Sequence, residues 1–130
     1  MPRRVATGVD PKRLAMIVAV LGRHAGVALG NADVFVNVAG GVRIDEPGAD
    51  LAVALAIASA AKGVPTKEGL AAFGEIGLTG ELRTVAHADR RAAEARKFGL
   101  AAVISPARAR TLREAVQTAL SSGQRAQRAA

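Results

Sequence analysis

The sequence predicts one α/β domain of the mixed α+β kind, and three observations support this prediction. The chain has 130 residues, half of them apolar, which is enough for one hydrophobic core. Leu14, Ile17 and Leu21 recur at helical spacing, whereas Val34 and Val36 alternate with other residues as in a strand. Cysteine is absent, so a disulfide framework is excluded.

The first half of the chain predicts two helices separated by two strands. Asp10 followed by Pro11 is a helix-start signal, because the carboxylate can accept a backbone hydrogen bond and proline presets φ. The segment Asp45-Glu46-Pro47 is a second start signal, and the almost entirely apolar residues after it predict a buried helix. The predicted elements are a helix over residues 11–25, a strand over 34–38, a strand over 42–44 and a helix over 49–61.

The second half predicts a hairpin followed by a helix, a strand and a last helix. Gly77 and Gly80 mark the turn of the hairpin, Gly99 ends the next helix, and Pro106 opens the last one. The predicted elements are a strand over residues 71–76, a return strand over 82–85, a helix over 90–98, a strand over 102–104 and a helix over 106–120.

Both ends of the chain are basic and lack apolar periodicity. We therefore expect a mobile basic N-terminal arm over residues 1–10, a folded domain over 11–120 and a disordered basic tail over 121–130. The net charge of +7 favours an anionic partner such as nucleic acid, with solubility as the alternative. No secretory signal and no membrane-length apolar run is found, so we expect a cytoplasmic location without membrane contact.

Most chemical motifs are missing from the sequence. There is no phosphate-binding P-loop, and His24 and His87 alone do not make a metal site, so we expect them to be surface or capping residues. Ser59 and Lys62 match S-x-x-K, but they end a buried helix, where a nucleophile would lack an open cleft. Catalysis at Ser59 is accordingly disfavoured.

Two segments, Val42 to Asp50 and Phe73 to Glu81, resemble motifs of the Lon family's proteolytic domain. The resemblance places the family's nucleophilic serine at Gly48 and its catalytic lysine at Asp89, so both catalytic groups are absent and no peptidase activity is expected. The nearby carboxylates then have a structural interpretation: they cap the helix start and complement its dipole, or they pair with an arginine of a neighbouring subunit. These carboxylates are Asp45, Glu46 and Asp50.

The segments that differ from the Lon motifs are also distinctive. Three segments, Pro2 to Gly8, Asp33 to Pro47 and Ala49 to Ala54, resemble the C-terminal domain of the bacterial RadA (Sms) family, and the resemblance covers about residues 2–120. It implies a catalytically degenerate fold like that of Lon proteolytic domains and of the second domain of ribosomal protein S5. It also implies a hexameric ring of identical chains.

The same resemblance implies partners and cofactors. The partners are single-stranded or branched DNA and a recombinase. A parent protein of this family carries a RecA-like, DNA-dependent ATPase and a zinc-binding segment ahead of this domain. ATP, Mg and Zn are therefore expected only in that region, with no cofactor in this chain.

Cations outside the predicted core are the candidate DNA contacts. The alternative for each of them is a solvated surface charge that contacts nothing. With no Trp or Tyr, any contact should be mainly to phosphate. The candidates are Arg3, Arg4, Arg13, Arg43, Lys62, Arg90, Arg91 and Lys97. Two other functions remain open: a structural or protein-binding scaffold without DNA affinity, and an active peptidase.

Overall fold

The computed structural model describes the backbone of residues 1–129 and the side chains of residues 1–121. Its mixture of helices and strands confirms the α/β class. In chain order the elements are β1 (Arg4–Thr7), α1 (Pro11–His24), β2 (Val34–Asn37), α2 (Asp50–Lys62), β3 (Leu70–Ala72), β4 (Glu75–Ile76), β5 (Leu82–Arg83), α3 (Ala88–Lys97), β6 (Ala102–Ile104) and α4 (Leu112–Ala129).

The strands form three pairs. β1 and β2 pair in parallel, with α1 as the crossover between them, and β3 and β6 also pair in parallel. β4 and β5 form an antiparallel hairpin, as the sequence predicts.

The hydrophobic core lies mainly between α1, α2 and α4. Its largest fully buried side chains come from these three helices, and removing them from water is the main favourable contribution to folding. They are Leu14, Ile17, Leu21, Leu51, Leu112 and Leu120.

The sequence predicts the start of α1 correctly but not the start of α4. The Asp10 carboxylate accepts a hydrogen bond of 3.0 Å from the Lys12 N–H, which confirms the predicted start of α1. Pro106, in contrast, lies in a turn, so the predicted start of the last helix is wrong. α4 begins after Thr111, whose hydroxyl accepts a hydrogen bond from the Glu114 N–H, and a threonine in this position satisfies a free amide at the first turn.

Two strand predictions are also wrong. Residues 42–44 form no strand, because Ile44 makes only one backbone bond to another segment, from its N–H to the Gly8 carbonyl. The predicted strand over 71–76 is two strands, β3 and β4, which pair with different partners. The chain leaves the first of them at Gly74, whose φ of 158° belongs to the region that favours glycine.

The ends of the chain also differ from the prediction. Residues 4–7 form β1 rather than a mobile arm, because backbone pairing with β2 orders them despite their low hydrophobicity. At the other end, α4 continues to Ala129, beyond the helix end predicted at residue 120. Its last turns contain Gln, Arg and Ala, which are good helix formers. The side chains of residues 122–130 and the backbone of residue 130 lie outside the described residues, and the disorder of the tail stays a prediction.

Candidate functional site

Gly48, the position aligned with the Lon serine, is buried beside a cation. It lies in a short 3-10 turn, Pro47–Ala49, directly before α2. The guanidinium of Arg91 occupies the adjacent space, since a Cβ atom built on Gly48 would lie only 3.2 Å from the nearer Nη atom. The Arg91 side chain also donates hydrogen bonds to the Glu46 carboxylate at 2.7 Å and to the Ala86 carbonyl at 2.9 Å. A paired cation thus fills the space next to the serine position.

The carboxylates near the start of α2 do not cap it, although Asp50 lies in its first turn, where a negative charge complements the helix dipole. Asp50 is 2% exposed and accepts hydrogen bonds from Arg13 and from the Ile76 N–H, so it joins α1, α2 and β4. Glu46 binds Arg91 and Asp45 binds Arg43. The capping prediction is therefore wrong, because all three carboxylates have side-chain partners elsewhere and neither Glu46 nor Ala49 makes a side-chain cap.

The other candidate catalytic groups are either exposed or in contact with neighbouring residues of the fold. Asp89, aligned with the Lon lysine, is exposed in the first turn of α3. The Ser59 hydroxyl donates a hydrogen bond of 2.6 Å to the Val64 carbonyl and so stabilises the end of α2. His87 is exposed before α3, and half-buried His24 packs against Gly80, where a Cβ atom would approach the His24 Cβ to 2.8 Å.

Arg3 and Arg4, the predicted arm residues, are both engaged with the segment before β2. Arg4 donates hydrogen bonds to the carbonyls of Ala32 and Gly30. The Arg3 guanidinium makes an ion pair of 3.6 Å with Asp33 and lies 5.3 Å from the centre of the Phe35 ring, a cation–π contact. Both side chains therefore have partners in the folded domain, and Arg3 remains 70% exposed.

Arg13 and Arg43 also have acidic partners, but their surroundings differ. The Arg13 guanidinium binds buried Asp50 and lies 3.5 Å from the Glu75 carboxylate. Its hydrogen bond to Asp50 raises the pKa of Arg13 despite the opposing effect of burial. Arg43 makes an exposed pair of 2.9 Å with Asp45, an arrangement of little consequence for stability.

Lys62, Arg90 and Lys97 are exposed, and within the described part of the chain none of them makes an ion pair. Arg90 and Lys97 lie on the same face of α3, seven residues apart. Lys62 lies at the end of α2, where with Arg113 it borders a cavity of about 360 Å³. The structure therefore divides the eight predicted cations into five that contact an acidic side chain or a backbone carbonyl and these three, which make no ion pair among the described residues.

Sequence reasoning missed further exposed cations that make no ion pair among the described residues. Arg96 lies on α3 beside Lys97, and its position in the same predicted helix could have identified it. Lys67 and Arg108 border a cavity of about 270 Å³ next to β6. They come from separate loops, so no local sequence pattern indicates that they are close together.

Glu81 closes the hairpin turn between β4 and β5. The Glu81 carboxylate accepts hydrogen bonds from the Thr79 hydroxyl at 2.8 Å and from Arg83 at 3.1 Å. These bonds, with the Thr79 bond as the largest cause, lower the pKa of Glu81 from 4.5 to about 2. Gly77 lies directly beneath this side chain, since a Cβ atom there would be 2.1 Å from Oε1. The glycines serve the turn, as the sequence predicts.

The described residues contain neither a membrane-spanning helix nor a cluster of metal ligands. No helix among them is both long enough and apolar enough to cross a bilayer. No three of their His, Cys, Asp or Glu side chains are grouped so that they could hold a metal ion.

Comparison with known proteins identifies two relationships. The chain is 50% identical over 105 residues to the DNA repair protein RadA of Halalkalibacterium halodurans. Over 106 residues it is 48% identical to the DNA repair protein RadA of Escherichia coli and 44% identical to that of Bacillus subtilis. These matches cover 81 to 82% of this chain but only 23% of each relative, so the chain spans about a quarter of their length. The family model described as subunit ChlI of Mg-chelatase matches residues 10–109, and the chain therefore belongs to that family.

Proposed function

We propose that this chain is the non-catalytic domain of a DNA repair protein related to RadA, and that it binds DNA and supports assembly of a ring. The observation that carries the proposal is the identity of about 50% to proteins named DNA repair protein RadA over some 80% of the chain. The proposed fold is that of Lon proteolytic domains in a degenerate form, and the proposed location is the cytoplasm.

The surroundings of Gly48 support a non-catalytic role. Glycine has no nucleophilic side chain, and the exposed carboxylate of Asp89 cannot replace a lysine as the base that activates a serine. Arg91 further occupies the space beside Gly48. We propose that ATP hydrolysis, with its Mg, and zinc binding belong to other parts of a longer protein.

The cations of α3 are the strongest candidates for DNA contact. Arg90 and Lys97 share one face of the helix, Arg96 is adjacent, and all three are exposed. Within the described residues none of them makes an ion pair, so binding a phosphate would break no ion pair. Glu94 lies on the same face as Arg90 and Lys97 and opposes their charge.

The test is fluorescence anisotropy with single-stranded and branched DNA over a series of salt concentrations. We expect the double variant Arg90→Ala/Lys97→Ala to weaken binding, and to reduce the slope of log K against log salt by about one unit for each phosphate that the variant no longer binds. Glu94→Gln should strengthen binding, since it removes a repulsive charge.

The matched control is Lys12→Ala/Arg23→Ala, which removes two exposed cations from α1. Equal weakening in both double variants would show that only net charge matters and would contradict a surface on α3. No binding by the original chain at low salt would leave a structural or protein-binding scaffold as the function.

Ring assembly is tested separately by sedimentation-equilibrium ultracentrifugation with interference detection, over a range of protein concentrations. A species of defined size, six chains by the family resemblance, would support assembly by this domain. A monomer at all concentrations would assign assembly to another part of the longer protein.

A further inference from the structure

The outer edge of β2 is an unpaired strand edge. In the parallel pair with β1, the N–H groups of Val34 and Val38 bond to the carbonyls of Arg3 and Thr7. Since successive residues of a strand point their backbone groups in opposite directions, those of Phe35 and Asn37 point away from β1. Among the described residues nothing bonds to these four backbone groups.

A groove runs between this edge and α2, with a volume of about 600 Å³. All four residues of β2 line it on one side, and on the other side lie three exposed alanines of α2 together with Val53 and Ile57. The alanines are Ala56, Ala60 and Ala61. Such small side chains leave room for a chain to lie along the strand, and a four-residue strand is roughly 13 Å long.

The groove carries no unpaired charge among the described residues. Asp33 is the one charged residue in the lining, and it accepts a hydrogen bond of 2.7 Å from the Arg3 N–H and pairs with the Arg3 side chain. A charged or phosphate-bearing segment would therefore lose its hydration in the groove without gaining a partner. An uncharged segment that supplies backbone donors and acceptors would satisfy the edge.

We propose that this groove binds an extended, uncharged peptide strand of another protein, which adds to the sheet beside β2. The backbone of Phe35 and Asn37 pairs with the peptide, and alternate side chains of the peptide contact the alanine surface of α2. This site is distinct from the cations of α3 and does not depend on DNA binding.

The test is a titration of the full chain with the peptide acetyl-Thr-Val-Thr-Val-Thr-Val-amide, followed by amide hydrogen exchange and NMR. We expect saturating peptide to slow exchange at Phe35 and Asn37 by at least about tenfold. Exchange at Val34 and Val36 should change much less, because their N–H groups already bond to β1. The fully N-methylated peptide, which cannot donate backbone hydrogen bonds, is the matched control and should have no effect.

Two variants test the position of the bound peptide. Asn37→Pro removes an N–H that has no partner among the described residues, which edge strands tolerate, and it should reduce affinity by at least about tenfold. Ala60→Glu places a charge on the exposed alanine surface and should do the same without changing the strand. Full affinity in both variants would overturn the proposal.

Other occupants would give different results. Protection of Phe35 and Asn37 that increases with protein concentration in the absence of peptide would show that a second copy occupies the edge, and would overturn the peptide assignment. Displacement of the peptide by duplex DNA would do so as well, because no described cation lines the groove.

Discussion

Gly48, which has no side-chain carbon, lies beside Arg91, which has one of the longest side chains in the chain. Gly48 allows the guanidinium to lie beside the start of α2, where it also binds the Glu46 carboxylate. A larger residue at position 48 would therefore need the space that the Arg91 guanidinium fills.

Gly48→Ser should lower the free energy of unfolding by about 1 kcal/mol, because Arg91 must move to accept a Cβ atom. The same substitution in an Arg91→Ala background should cost less, and chemical denaturation of all four proteins gives the coupling between the two sites. Casein hydrolysis should stay undetectable throughout. Equal costs in both backgrounds would contradict the contact.

Arg13 neutralises the buried carboxylate of Asp50, which no other described cation contacts. Arg13→Met should lower the free energy of unfolding by about 2–3 kcal/mol, since it leaves a buried charge with only a backbone N–H for partner. Arg43→Met, which breaks an exposed pair, should cost less than about 1 kcal/mol. Urea denaturation of the two variants compares these costs directly, and similar values would mean that Asp50 is not dependent on Arg13.

Among the elements, the β4–β5 hairpin should respond to acid. The pKa of Glu81 is about 2 in the folded chain, below the ordinary value of 4.5, so its ionised form stabilises the fold above pH 4.5. This contribution should decline as the pH falls from 4.5 towards 2. Glu81→Gln should remove that part of the pH dependence of unfolding, measured by denaturation at several pH values.

The control for this experiment is Glu68→Gln, which removes an exposed carboxylate that forms no ion pair among the described residues. It should retain the acid response of the original chain. An unchanged response in Glu81→Gln would assign the effect to other carboxylates.

The elements that the sequence predicts well are those with local causes. α1 has its cap and its apolar spacing within one segment, and the hairpin is marked by its glycines. β1 was missed because its pairing with β2 is not visible in its own residues. The start of α4 was predictable, since Thr111 and Glu114 have the spacing of a capping box, but Pro106 was the more conspicuous signal.

The candidate site was predictable to a similar extent. That position 48 carries no nucleophile and position 89 no amine can be read from the sequence, whereas the position of Arg91 beside Gly48 depends on the packing of α3. Exposure of a cation could be inferred from periodicity, but its ion-pair partner could not. Arg13 and Asp50, for example, lie far apart in the chain.

At the scale of the whole molecule, α3 is the element least attached to the core. None of its residues, all of which the structure describes, is buried, and Phe98 directly after it is 77% exposed. Amide hydrogen exchange should therefore be faster throughout α3 than in α2, which buries six residues. Slower exchange in α3 would indicate that another surface covers it, and its dependence on protein concentration would show whether that surface is a second copy.

The parallel strand pairs have a consequence for the speed of folding. Arg4 pairs with Val34 and Leu70 with Ala102, so both pairings join residues that are far apart in the sequence. The entropy of closing these long loops must be lost before the pairings can stabilise anything, which slows folding relative to a helical bundle of similar size. During that delay the strands lack their partners, and a newly made chain would be most prone to aggregation at this stage.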